Sequence, residues 1–367
     1  MGNTLKLPSV FANKINGHAL ESTTLDVLKN AFEILEDPTS GLPFFPEFTD
    51  HGMPHFQRVL DASASILNND ARERLTPEDV YVLTAAVVLH DVAMHLKEDG
   101  FVQIVTGSWS GSEEWPKRWN EFTNETRRWN TRKLTDVLGS GGEAISTSDL
   151  ATAIKAPIPL DNADRWTKQQ RKLIGEFIRI HHAALAQEFA EFGFPGSGDP
   201  IWIIAKNCRY AFLAGFIAKS HHLRLRDTFS ALQERYHTRT YCLNTHPVLL
   251  MAALRIADYL DVERERAPSM SLKLRSIRNP ISNREWKAHQ AIDDVRVDEH
   301  DSEALFVLAS PRDVGTYLRL RELFSDLQRE LDLSWAVLGE VFSRQEHLSV
   351  IQTFGRRTLN ATTFQRS

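Results

Sequence analysis

Cysteine is nearly absent from this chain: Cys208 and Cys242 are the only two in 367 residues. Two thiols build neither a disulfide framework nor a cysteine-based zinc site, so a reducing, cytoplasmic setting is expected. Long apolar runs are missing as well. VLTAAVVL (82–89) falls far short of the roughly 20 residues that a membrane span needs. MGNTLKLPSVFANKING has no basic-then-apolar leader. Neither sign of charge dominates. Lys and Arg total 43 against 48 Asp and Glu, a formal net charge of −5 with no chain-wide pull toward nucleic acid. There is no Walker A loop, no Gly-x-Gly-x-x-Gly after a strand and no Gly-x-Ser-x-Gly turn. GSGGEA (139–144) lacks the lysine and the preceding strand of a phosphate loop and reads as a linker.

What is present suits a globular body: 42% hydrophobic and 25% charged residues supply a core. Apolar positions recur at helical spacing in TLDVLKNAFEILE (24–36), and the spacing predicts further helices from Pro54 to Leu67 and from Pro77 to His90. Thr76 followed by Pro77 is a helix-start signal. Between residues 98 and 166 the periodicity loosens into an inserted segment, then returns at 167–192, 199–220, 225–236 and 245–260. Beyond Pro268, AIDDVRVDE (291–299) and ALFVLAS (304–310) read as a hairpin, 312–331 as a helix, and the polar tail as loosely ordered. The expected fold class is mainly α. It has an N-terminal helical extension (1–46), a helical domain (47–268) carrying the insert, and a small α+β region (269–367).

The fourteen histidines matter by placement. DHGMPH (50–55), HDVAMH (90–95), RIHHA (179–183) and SHHL (220–223) each follow or open an apolar helical pattern, and the carboxylates of RIADYLD (255–261) come after them. Imidazole with carboxylate suits manganese, iron, nickel, cobalt or zinc better than calcium. Helical bundles build metal sites from side chains that several helices turn inward. Ile174, Ile178 and Leu185 put His181 nearest the centre of its apolar face. Phe212, Leu213, Phe216 and Ile217 favour His221 over His222. Trp109, Trp115, Trp119 and Trp129 alternate with Lys117, Arg118, Arg127 and Arg128 in the insert. They could stack on bases and grip phosphates, but packing of the insert onto the body is the more economical reading.

FTDHGMPHFQRVL, LHDVAMH, FIRIHHA and LRIADYLD, in that order, resemble the HD-domain metal-dependent phosphohydrolases, most closely the branch associated with bacterial conflict (antiviral) systems. The resemblance covers about residues 48–262 and implies an HD-type helical bundle holding one or two divalent ions, magnesium among the candidates. It implies His55, His90, Asp91, His182, His221 and Asp258 as ligands. Its Arg-x-x-His element selects Arg179 and His182 where periodicity favours His181. Asp91 is the residue expected to touch both metals. His95 and Arg179 are catalytic candidates, and His51, Lys219 and Arg179 are candidates for holding substrate. The chemistry implied is attack on phosphorus by a metal-activated hydroxide, since a bound metal lowers the pKa of water toward about 7.

The expected substrate is a nucleotide phosphate ester or anhydride, leaning to nucleoside or deoxynucleoside triphosphates. Alternatives are cleavage of single-stranded nucleic acid, hydrolysis of a cyclic nucleotide, and a non-catalytic sensing module. The Gly-Tyr-Pro element of cyclic-di-GMP hydrolases and the Gly-His-Pro-Pro-Phe-Gly-His continuation of typical dGTP triphosphohydrolases are both absent. The C-terminal region is a candidate to cover the pocket, to form a homo-oligomer interface or to receive an activator, whether a regulatory ligand or a partner protein.

Overall fold

A computed structural model describes residues 5–35, 42–45, 52–67, 69–139, 150, 152, 154–261, 280–297, 304–342 and 358–361. The fold is mainly α. The N-terminal helices are α1 (Ser9–Ile15) and α2 (Glu21–Leu35), and the next three are α3 (Met53–Ser65), α4 (Asn69–Arg74) and α5 (Pro77–Leu89). The insert contributes α6 (Glu98–Thr106), α7 (Trp115–Thr126) and α8 (Thr131–Leu138). The body resumes with α9 (Lys168–Phe192), α10 (Ala211–Ser220), α11 (Thr228–Tyr236) and α12 (Pro247–Leu260).

Helix α5 organises the body. Every residue from Glu78 to Leu89 is buried, as a helix apolar on all sides must be. It begins with a reciprocal cap: Asp79 N–H donates to the Thr76 hydroxyl, and Thr76 N–H donates to the Asp79 carboxylate. Asp79 also accepts from the His246 backbone N–H at 2.7 Å, which ties the start of α5 to the start of α12. Helices α2, α3, α9, α10 and α12 pack around α5. The N-terminal residues Phe11, Ile15, Val27 and Ala31 share this core. A helix this buried has only its ends for polar chemistry, and His90 and Asp91 stand at the C-terminal one.

Gly215 sets the approach of α10 to α9: a Cβ there would stand 2.7 Å from the Gln187 carbonyl oxygen and 2.9 Å from Ala190 Cβ. The helix predicted over 199–220 starts only at Ala211. Residues 199–210 run as turns, with Ile201 bridged to Phe194 and Ile203 and Ile204 buried without helical structure. Burial of that apolar run against the body overrides its periodicity.

Among its described residues the insert is a set of short helices joined by loops. Trp115, Trp119 and Phe122 of α7 pack edge-on against Phe177 of α9, and Trp109 packs against Phe189. These tryptophans are buried anchors, not an exposed stacking platform.

After the body come α13 (Pro280–Gln290), the antiparallel strands β1 (Ile292–Val297) and β2 (Ala304–Ala309), and α14 (Val314–Phe342). Strand β3 (Thr358–Ala361) pairs parallel to β2, so part of the tail expected to be loose joins the sheet by backbone pairing on its open edge. Helix α14 outruns its predicted end at residue 331. Leu320 packs with Ile292 and Val307 in a small separate core, whereas Leu331, Leu338 and Phe342 enter the main one. Among the described residues no helix is long and apolar enough to cross a membrane.

Candidate metal centre

Two groups of donors meet at the C-terminal end of α5. In the first, His55 of α3 and His90 present their Nε2 atoms 3.2 Å apart. Asp91 Oδ2 lies 3.5 and 3.6 Å from these two nitrogens, and Asp258 Oδ1 of α12 lies 4.0 and 3.7 Å from them. In the second group, His182 of α9 and His221 at the end of α10 bring their Nε2 atoms to 2.9 Å. Asp91 Oδ1 lies 3.3 and 3.9 Å from them. The two oxygens of one carboxylate thus face different groups. His222 joins the second group, its ring 4.3 Å from that of His182.

The outward nitrogen of each of the four buried imidazoles is committed. His90 Nδ1 donates to the Val87 carbonyl at 2.6 Å, His182 Nδ1 to that of Arg179 at 2.8 Å, and His221 Nδ1 to that of Ala218 at 2.5 Å. His55 Nδ1 donates to Asp261 Oδ2 at 2.5 Å, and Asp261 Oδ1 accepts from Arg58 Nε. A carbonyl oxygen can only accept, so Nδ1 carries the proton, and in a neutral ring Nε2 is left with a lone pair. Lone pairs facing one another at about 3 Å repel unless a cation lies between them. This donor set, with carboxylate oxygens beside each pair and the outer ring nitrogens anchored, fits a divalent metal.

The electrostatics agree. Burial alone would raise Asp91, but His90 and the hydrogen bonds from His182 and His55 hold its carboxyl well below the usual range. Desolvation would raise Asp258 too, but His90 outweighs it and holds the carboxyl low. Burial pushes His221 down to about 3, helped by His182 and His90. Burial and His182 bring His222 down to about 4, with Arg179 adding to the effect. Without a cation, His90 goes the other way: burial lowers it, the carboxylates of Asp91 and Asp258 outweigh burial, and it is raised to about 9.

The remaining sequence-derived positions sit as follows. His181 packs against Phe177 and Trp115, away from the donor groups, and burial brings it down to about 4. Helix α9 is covered on two sides, by the insert and by α10, and the centre of its apolar periodicity points at the insert. Arg179 is half-exposed and clamped by Glu176, whose carboxylate also takes Lys133 of α8. Lys219 Nζ donates to Gln187 at 2.8 Å, and His95 packs beside Phe56. His51 lies outside the described residues.

Sequence reasoning missed Arg58, ranked His222 behind His221, and assigned Asp261 no part in the site. A signal for the first two existed. Arg58 follows His55 by three residues and so shares its helix face, and His222 adjoins His221 past the helix end, where the backbone turns.

An all-helical body whose central helix ends in His-Asp, with imidazoles from α3, α9 and the end of α10 and a distal aspartate gathered there, is an HD-type domain. The HD-CE family model matches residues 45–333, and the chain belongs to the HD-CE family. The comparisons with curated proteins and with solved structures gave no match.

Proposed function

We propose that the protein is a divalent-metal-dependent phosphohydrolase with two adjoining metal sites sharing Asp91. The observation that carries this reading is the pairing of inward-facing Nε2 atoms, 3.2 Å and 2.9 Å apart, on the two oxygens of one buried carboxylate. His55, His90, Asp91 and Asp258 would hold one ion, and Asp91, His182 and His221, with His222 beside them, the other. Ions bound there supply hydroxide at neutral pH and neutralise charge on phosphate oxygens.

The chain's own contributions follow from its geometry. Asp261 and three backbone carbonyls keep the imidazoles turned inward. Asp258, with a side chain 27% exposed, lies on the open side of the first group, where a phosphate could enter. Its low-lying carboxyl makes it a metal ligand or base, not a proton donor. Arg179 is a candidate cation for a phosphate oxygen, since its charge is felt at His222. Its bidentate bond to Glu176 keeps that guanidinium at a fixed angle. Lys219 and His95 are weaker candidates, because Lys219 is turned toward Gln187.

Substrate class and biological setting rest on the sequence resemblance: a nucleotide phosphate ester or anhydride, with nucleoside and deoxynucleoside triphosphates favoured, in a bacterial antiviral role. The formal net charge of −5 weighs against a nonspecific nuclease, whose affinity comes largely from phosphate neutralisation. The test is hydrolysis by protein reconstituted with manganese, magnesium, iron, nickel or cobalt. The panel comprises nucleoside triphosphates, cyclic dinucleotides and single-stranded DNA, with Asp91→Ala as control. Triphosphate cleavage that vanishes in the variant is expected. Silence with metal bound overturns the substrate assignment, and silence without bound metal overturns the catalytic reading.

A further inference from the structure

His221 and His222 stand just beyond the last turn of α10, on a stretch without regular helix before the short 3-10 turn Leu225–Asp227. A ligand on such a stretch needs its backbone held from outside, because carbonyls at a helix C-terminus lack intrahelical donors. Arg255 supplies that hold. It lies one turn before Asp258 on α12, and its Nη1 donates to the carbonyls of Ser220 and Leu223, the residues immediately flanking His221 and His222. The same guanidinium is gripped on its other edge by Glu330 of α14, Nε to Oε1 and Nη2 to Oε2, the latter at 2.8 Å. Both side chains are buried, 9% and 7% exposed, and Ser334 donates to Glu330 from one turn further on. Farther along α14, Glu340 accepts from Arg226 at 2.8 Å, a second, more exposed tie to the same stretch.

We propose that Arg255 and Glu330 are positioning residues for the second metal site, so that a carboxylate on the long C-terminal helix sets the placement of His221 and His222. This rests on the reading of the two donor groups as metal sites. A planar guanidinium bonded to a carboxylate on one edge and to two carbonyls on the other fixes direction as well as distance. The first group is built on α3, α5 and α12, whereas the Arg255 guanidinium held by Glu330 bonds directly to the two carbonyls that flank His221 and His222. Loosening the clamp therefore acts on the two sites unequally, and α14 becomes the lever through which the C-terminal region can act on the centre.

The experiment is manganese titration of the full chain, by calorimetry with electron paramagnetic resonance, for wild type, Glu330→Gln, His182→Ala and Leu331→Ala. Wild type should bind two ions. Glu330→Gln should keep one unchanged and bind the other about 10–100-fold more weakly, the range typical of lost outer partners. The weakened ion should be the one lost in His182→Ala. Leu331→Ala removes a buried neighbour on the same helix. It should lower Tm and leave both affinities intact, which a purely structural role for α14 would not allow. Removing one member of a buried pair strands the other, so the double variant Arg255→Met/Glu330→Leu covers a Glu330→Gln that does not fold. Selective loss of the second ion in it supports the clamp, and two ions bound as in wild type overturn it. Wild type binding no manganese, or a single ion that survives His182→Ala, overturns the two-site reading instead.

Discussion

Asp261 Oδ2 lies 2.5 Å from His55 Nδ1, while the other oxygen of the same carboxylate takes the Arg58 guanidinium. A buried carboxylate in that position sets the tautomer and the orientation of the imidazole at once. Asp261→Ala should therefore weaken metal binding by about 10–100-fold, with the fold intact by circular dichroism. Asp261→Asn should fall between the variant and wild type, because its amide oxygen can still accept. Competition with a chelator of known affinity measures both, and unchanged affinity in Asp261→Ala would show that Arg58 and the surrounding packing suffice.

Asp91 serves both donor groups and Asp258 only one. Elemental analysis should find both ions depleted in Asp91→Asn. Asp258→Asn should lose the ion held with His55 and His90 and keep the other. Equal loss in the two variants would contradict the division of Asp91's oxygens between two sites.

His90 makes the metal-free protein sensitive to alkali. Its imidazole is raised to about 9 from an ordinary 6.5. Its proton therefore contributes stability that is complete below about pH 6.5 and lost as pH rises through about 9. Tm of the metal-free protein should fall from pH 7 to 9.5 more steeply than that of a His90→Gln variant. A metal must displace the same proton, so affinity should rise over this window with proton release, read by calorimetry in buffers of differing ionisation enthalpy. Metal binding at pH 7 without proton release would refute the assignment.

Gly215→Val forces a side chain into the α9–α10 contact, where the nearest atom is backbone and cannot swing aside. A destabilisation of about 1–3 kcal/mol is expected, as for other overpacked sites. Denaturant melts read the stability. Retained affinity for two ions would show that the helices part without moving His182 from His221.

Trp115→Ala tests the insert. Trp115 is fully buried, and its indole N–H donates to Glu188 at 2.9 Å. Truncation should cost about 3–5 kcal/mol. The opposite result, stability unchanged with weaker binding of single-stranded DNA, would restore the stacking role that the interleaved cations suggested.

Much of this was legible in the chain. The Thr76-Pro77 start and the periodicity returning at 167 mark where two ligand-bearing helices begin, and the unbroken apolar run before His90 marks α5 as central. The loop at 199–210 and the adjacent-histidine choices were less legible for one shared reason. Periodicity reports which side of a helix is covered, not what covers it. His181 lies on a covered side of α9, but the cover is Trp115. His182, one step of about 100° further round, faces His221.

The sequence by itself determined the chemistry available: which donors exist, their order, and that helices would carry them to the end of a buried one. Donor type and helical phase are local properties, set within a few residues. Only the tertiary structure decided which lone pairs meet, since His55 reaches Asp261 across 206 positions and Arg255 reaches Glu330 across 75. Those pairings depend on interhelical packing, on Gly215 letting α9 and α10 close, and on the path of the chain past each helix end. None of these is encoded in any single stretch.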